Sequence, residues 1–201
     1  MSQYMNLIGQ NAKKASLEKI NTKIKNKVLK KYASLLNQQE NSILKANEKD
    51  VKFAQKKRLN KNLIDRLTID QKKLGHIKNT INKIIKLKDP IDNTLVKWKR
   101  PNGLKIQKVS IPIGVIGVIY ESRPNVTSDV ASLCFKSGNA VILKGGSEAI
   151  NTNKILAKLF RKALKENKVN ENFIQFIDSK NRKVVDFMLS KMKDYIDIII
   201  P

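Results

Sequence analysis

Residues Gly114 to Glu148, GVIGVIYESRPNVTSDVASLCFKSGNAVILKGGSE, constrain the fold of this chain more than any other stretch. Gly114 to Tyr120 is a continuous apolar run with two glycines, as expected of a central parallel strand covered on both faces. A polar turn follows, then a helix over Asp129 to Phe135 and a second strand over Ala140 to Leu143. Lys144-Gly145-Gly146-Ser147-Glu148 then leads into another helix. Strand, helix, strand and glycine turn in this order build an α/β crevice that receives anionic nucleotides at the carboxyl ends of the strands.

The alternation continues to the end of the chain. Glu148 to Glu166 reads as a long amphipathic helix, Phe173 to Ile177 as a strand, Arg182 to Met192 as a helix and Ile196 to Ile200 as a fourth strand. Four strands joined by three helices predict right-handed crossovers and a doubly wound sheet. Residues 2 to 87 read as helices instead. Ile20, Ile24, Val28, Leu29, Tyr32, Leu35 and Leu36 recur at spacings of three and four, and Leu74, Ile77, Ile81 and Ile84 form a second stripe. Asp89-Pro90 ends this half, because the residue before proline is pushed out of the α region. Between the halves, two short alternating segments flank Pro101-Asn102-Gly103 and predict a β-hairpin. An isolated hairpin is marginal, so it is expected to pair with another sheet, in this subunit or another. The organisation is therefore a helical part over 1–90, a hairpin over 94–109 and a Rossmann-like part over 110–201.

Two polar strand tips carry the chemistry. At Lys144-Gly145-Gly146-Ser147 the glycines permit a sharp turn, the following helix start offers N–H groups to an anion, and Lys144 adds a positive charge. At Tyr120-Glu121-Ser122-Arg123-Pro124-Asn125 the proline fixes the turn, Arg123 can bind a carboxylate or phosphate in bidentate fashion, and Ser122 and Asn125 can donate to an oxyanion. Tips of successive βα units are expected to face one crevice. No G-x-G-x-x-G is present, and the residues alone also allow a plain turn with a surface lysine.

Net charge narrows the partners less than its size suggests. The chain carries +24 over 201 residues, but the lysines run along its whole length beside heavy Ile and Asn usage. This reads as surface composition; a basic nucleic-acid-associated α/β protein is the alternative. Aromatics make up 5%, and no basic motif interleaved with aromatics occurs, so nucleic acid is not the expected partner. No apolar run approaches the roughly 18 residues that span a bilayer, and no secretion signal is visible, which leads to the expectation of a cytoplasmic protein away from membranes. The single cysteine, Cys134, offers neither a disulfide nor metal-ligand spacing, so no metal site is expected. It lies among Ala131, Leu133 and Phe135 and reads as a small buried hydrophobe. The lone His76 has no partner in sequence and reads as non-catalytic.

The Tyr-Glu-Ser-Arg-Pro-Asn and Lys-Gly-Gly-Ser-Glu motifs closely resemble those of the γ-glutamyl phosphate reductases. So do Asn47 to Val51, Leu63 to Thr68, Arg100 to Leu104 and Tyr195 to Pro201, and the resemblance runs over essentially the whole chain. It implies an aldehyde-dehydrogenase-like α/β fold: N-terminal helices, a β-hairpin and a Rossmann-like parallel sheet, truncated before a catalytic domain. It also implies NADP as cofactor, γ-glutamyl phosphate as substrate, a homo-oligomer in the full-length enzyme and a functional link to glutamate 5-kinase. Lys144, Gly145, Gly146 and Ser147 would then bind the cofactor, and Ser122, Arg123 and Asn125 the substrate. Lys144 would contact the adenosine ribose or its 2′-phosphate, and Ser147 stands where NAD-preferring relatives often carry a glutamate. The catalytic nucleophile would be a cysteine beyond residue 201. Without it, the chain alone would be an inactive, non-catalytic nucleotide-binding fragment.

Overall fold

The computed structural model describes residues 1–201. Five helices come first: α1 (Ser2–Ser16), α2 (Thr22–Gln38), α3 (Glu40–Lys56), α4 (Lys61–Leu67) and α5 (Gln71–Lys86). Their starts are set by short polar side chains, which satisfy donors that the first helical turn leaves without partners. Asn21 accepts from the Ile24 N–H at 2.9 Å, Asn60 from Leu63 at 2.8 Å and Asp70 from Lys73 at 2.6 Å.

The hairpin follows as β1 (Thr94–Lys99) and β2 (Lys105–Val109), antiparallel and turning through Gly103 at φ +87°. It stands away from the rest of the molecule, with Leu95, Val96, Trp98, Leu104 and Val109 all exposed. Beyond it come β3 (Val115–Tyr120), α6 (Pro124–Lys136), β4 (Ala140–Gly145), α7 (Ile150–Glu166), β5 (Ile174–Phe176), α8 (Lys183–Lys191) and β6 (Ile198–Ile200). The four later strands form one parallel sheet in the order β5-β4-β3-β6, so the chain returns through α8 to place β6 beside β3.

Two boundaries differ from the sequence reading in a way that matters for the site. Helix α6 begins at Pro124 rather than near Asp129, because proline suits the first helical position, where its missing N–H costs nothing. Asn125 therefore lies on a helix, not in the loop. The run after Gly146 begins with a single 3-10 turn, Ser147–Ala149, before α7 proper starts at Ile150.

Helices and sheet share one core. Tyr32 on α2 stacks against Phe160 on α7 with centroids 4.4 Å apart; Phe135 sits edge-on to Phe160 at 5.8 Å and to Phe173 at 5.6 Å. The buried Tyr32 hydroxyl is satisfied by Ser128 on α6 at 2.6 Å. Cys134 lies in this core, and burial pushes its thiol up to about 12. No helix is long and apolar enough to cross a membrane.

Candidate functional site

The loop between β3 and α6 and the loop after β4 meet at the carboxyl ends of their strands, and Glu148 joins them. Ser122 Oγ donates to one Glu148 carboxylate oxygen and Ser147 Oγ to the other, both at 2.8 Å. Burial works against the Glu148 charge. The hydrogen bonds from Ser122, from its own backbone N–H and from Ser147, with Lys57 nearby, outweigh that and hold its carboxyl below the usual range. Gly146 is required here by contact: a Cβ would lie 2.6 Å from Ser122 Oγ and 3.1 Å from the Ser122 nitrogen. Ser122, Gly146 and Glu148 line a cavity of about 270 Å³ whose far wall is Leu59, Leu63 and Leu67.

Two features of this side depart from the sequence expectation. The N–H groups at the start of α7 are not free. Asp50 on α3 accepts from the backbone N–H of Asn151 at 3.2 Å and of Thr152 at 2.8 Å, and from their side chains at 2.7 and 2.6 Å. Packing of α3 across α7 thus supplies an internal anion where an external one was expected. Nor does Lys144 project as an open charge. Its amine folds back onto the Gly145 carbonyl at 2.6 Å, and burial pulls it below the ordinary lysine range, with Glu148 opposing that shift.

The β3–α6 loop separates this side from a second, larger pocket. The two strand tips meet, as expected, at the first cavity, where Glu121 and Ser122 face Gly146 and Glu148, while Arg123 and Asn125 turn to the second. The second pocket measures about 540 Å³ and lies between α5, the α4–α5 connection and the start of α6. Arg123 makes no hydrogen bond or ion pair through its guanidinium, whereas Arg66 pairs with Glu121 at 3.8 Å. Lys73 is occupied by the carbonyls of Asp65 and Thr68 at 2.6 and 2.8 Å. At the pocket wall, Asn125 Nδ2 donates to Asp129 Oδ2 at 3.1 Å. Asp129 Oδ1 is shielded from solvent and has no partner. Burial raises the Asp129 carboxyl above its ordinary range, and the Asn125 hydrogen bond only partly offsets this.

His76 and Asp129 were not singled out from sequence as site residues, and both line this pocket. The available signal was helical spacing. Asn125 and Asp129 are four residues apart on α6, as are His76 and Thr80 on α5, and side chains at that spacing share a face.

Comparison with known proteins places this arrangement. No family model matches the chain. A γ-glutamyl phosphate reductase of Clostridium tetani is 45% identical over 203 residues, covering 100% of this chain and 47% of its own length. One from Persephonella marina is 44% identical over 185 residues, covering 92% and 41%. The crystal structure of the Thermotoga maritima γ-glutamyl phosphate reductase superposes with a TM-score of 0.95 at 37% identity, over 98% of this chain and 48% of that one. This chain is similar to the N-terminal portion of the γ-glutamyl phosphate reductases. It spans a little under half the length of the curated relatives it matches. A Listeria monocytogenes protein described as a probable aldehyde dehydrogenase superposes at TM-score 0.70 with 15% identity, which extends the shared fold to that wider group.

Proposed function

We propose that this chain forms the cofactor side and the substrate pocket of a reductase that converts γ-glutamyl 5-phosphate to glutamate 5-semialdehyde and phosphate in proline biosynthesis, with NADPH as reductant. The observation that carries the proposal is the β3–α6 loop. It sets Ser122 against the glycine loop on one side and Arg123 and Asn125 against a polar pocket on the other, so a substrate and a nucleotide can approach one point from opposite sides.

The residues fit the adenosine end of a nicotinamide dinucleotide. The Glu148 carboxylate, held by Ser122 and Ser147, can accept from ribose hydroxyls. Lys57 lies beside Glu148, and Lys57 and Lys180 both sit over the Phe53 ring, at 4.8 and 4.7 Å from its centroid, which supplies positive charge for a 2′-phosphate. With α7 capped by Asp50, anion binding relies on Lys144, Gly145, Gly146, Ser147 and these lysines rather than on that helix terminus. When bound, NADPH supplies the hydride.

On the other side, Arg123 and Asn125 would bind the substrate, and Ser122, on the loop between the two sides, would border its reacting end. Cleavage of the acyl phosphate by a thiolate needs an accessible cysteine. Cys134 is buried with its thiol pushed up to about 12, so the nucleophile must come from outside these 201 residues. Such an enzyme would work in the cytoplasm, beside a kinase that makes the labile acyl phosphate, namely glutamate 5-kinase. The exposed hairpin is suited to pairing with another sheet in a homo-oligomer.

The test is a chimera joining this chain to the C-terminal portion of the Clostridium tetani relative. Phosphate- and NADP-dependent oxidation of glutamate 5-semialdehyde is expected. Absence of turnover from a folded chimera that binds NADPH would refute the proposal.

A further inference from the structure

We propose that the pocket between α5 and α6 reads the free amino-acid head of the substrate, with Asp129 receiving the α-ammonium group and Arg123 the α-carboxylate. This rests on the γ-glutamyl reading above and adds the residues that would distinguish a free glutamyl group from an N-acylated or amine-free one.

The first support is the state of the charges around the pocket. Of its basic side chains, Arg66 is paired with Glu121 and Lys73 is held by two backbone carbonyls. Arg123 alone among the three has a guanidinium or ammonium group without a partner. Asp129 presents the converse. One of its oxygens meets Asn125 and the other has no donor within the chain. A buried carboxylate oxygen left without a donor is costly, and native structures keep few of them. A carboxylate with one oxygen lacking a donor and a guanidinium without a partner, on one pocket wall, complement a zwitterion.

The second support is position. Asp129 lies on α6 one turn beyond Asn125, deeper than Arg123, while Ser122 stands at the opposite face of the same loop. A ligand anchored by its α-carbon substituents at Asp129 and Arg123 would direct its side chain toward the loop that separates the two sides. The volume of about 540 Å³ lies within the range that holds small ligands. The elevated Asp129 carboxyl agrees with a group that lacks its counter-charge until a ligand arrives.

The experiment titrates the 201-residue chain with L-glutamate, N-acetyl-L-glutamate and glutarate by calorimetry, with NADPH binding measured on the same samples. The native chain is expected to bind L-glutamate about tenfold or more tightly than either analogue lacking the ammonium group. Asp129→Asn should erase that preference while its melting temperature stays at or above that of the native chain. Arg123→Gln should weaken all three ligands. An unchanged preference in Asp129→Asn, or a preference lost together with a lowered melting temperature, would overturn the assignment and make Asp129 a structural residue. NADPH binding without any preference for L-glutamate defeats this inference alone. Binding of neither NADPH nor L-glutamate defeats the functional reading, and this inference with it.

Discussion

Asp50 is where the fold and the site are most tightly joined, and Asp50→Ala tests that joint. The carboxylate is 2% exposed and accepts four hydrogen bonds from Asn151 and Thr152 at the start of α7. Thr152 is fully buried, so on removal of the carboxylate its N–H has no water to turn to. Its hydroxyl keeps only the Asn47 amide, for which it is the acceptor, at 3.2 Å. A buried donor left without an acceptor costs about 1–3 kcal/mol. Two such donors on Thr152 give about 2–6 kcal/mol, and the exposed Asn151 adds less because water can reach it. About 3–4 kcal/mol is therefore expected for Asp50→Ala. A domain of this size loses roughly 2–4 °C in melting temperature per kcal/mol, so the variant should melt roughly 10 °C lower. Asp50→Asn keeps one acceptor oxygen and should lose about half as much. The assay is thermal unfolding followed by circular dichroism at low protein concentration, with urea titration as a second measure. A shift of 2 °C or less for Asp50→Ala would show that the N-terminus of α7 does not depend on this carboxylate, and the account of the missing anion site would fall with it.

Further outcomes are expected elsewhere. Cys134→Ala should cost roughly 1 kcal/mol through a small cavity, and in the folded native chain the thiol should resist a disulfide reagent until denaturant is added; fast reaction under native conditions would contradict its burial. Ser147→Glu should weaken NADPH, by charge repulsion against the 2′-phosphate, more than NADH, read by fluorescence titration; equal effects on both would remove Ser147 from 2′-phosphate recognition. Glu148, Asp89 and Asp197 are all held below the usual carboxylate range despite burial that opposes it: Glu148 chiefly by Ser122, Asp89 by Thr22 and Lys25, and Asp197 by Lys13 and the Val115 N–H. A carboxyl depressed on folding stabilises above its unfolded pKa, and that stability is lost as pH falls through the folded one. Urea midpoints should accordingly decline on acidification below about pH 4.5, the ordinary carboxylate range. Ser122→Ala should make that decline shallower; an unchanged slope would contradict the role of Ser122 in holding the Glu148 charge.

Much of this molecule follows from sequence because its signals are local. The apolar run from Gly114 to Tyr120 reads as a buried strand, and Asn21, Asn60 and Asp70 begin helices through bonds to N–H groups three residues on. Cys134 reads as core from its immediate neighbours. The motifs at 120–125 and 144–148 lie, as read, at the carboxyl ends of buried strands. What tertiary structure alone decided are contacts between residues far apart in the chain. Asp50 caps a helix that starts a hundred positions later, because α3 lies across α7, and so occupies N–H groups at that helix start. Lys144 folds onto its own backbone because the surrounding packing leaves its amine little water. Ser122 and Arg123 are adjacent in sequence yet serve opposite sides, since the chain turns from strand into helix between them. His76 and Asp129 meet one pocket only because α5 packs against α6. Periodicity records which face of an element is buried; it carries no information on which other element will cover that face, and that pairing shapes the site.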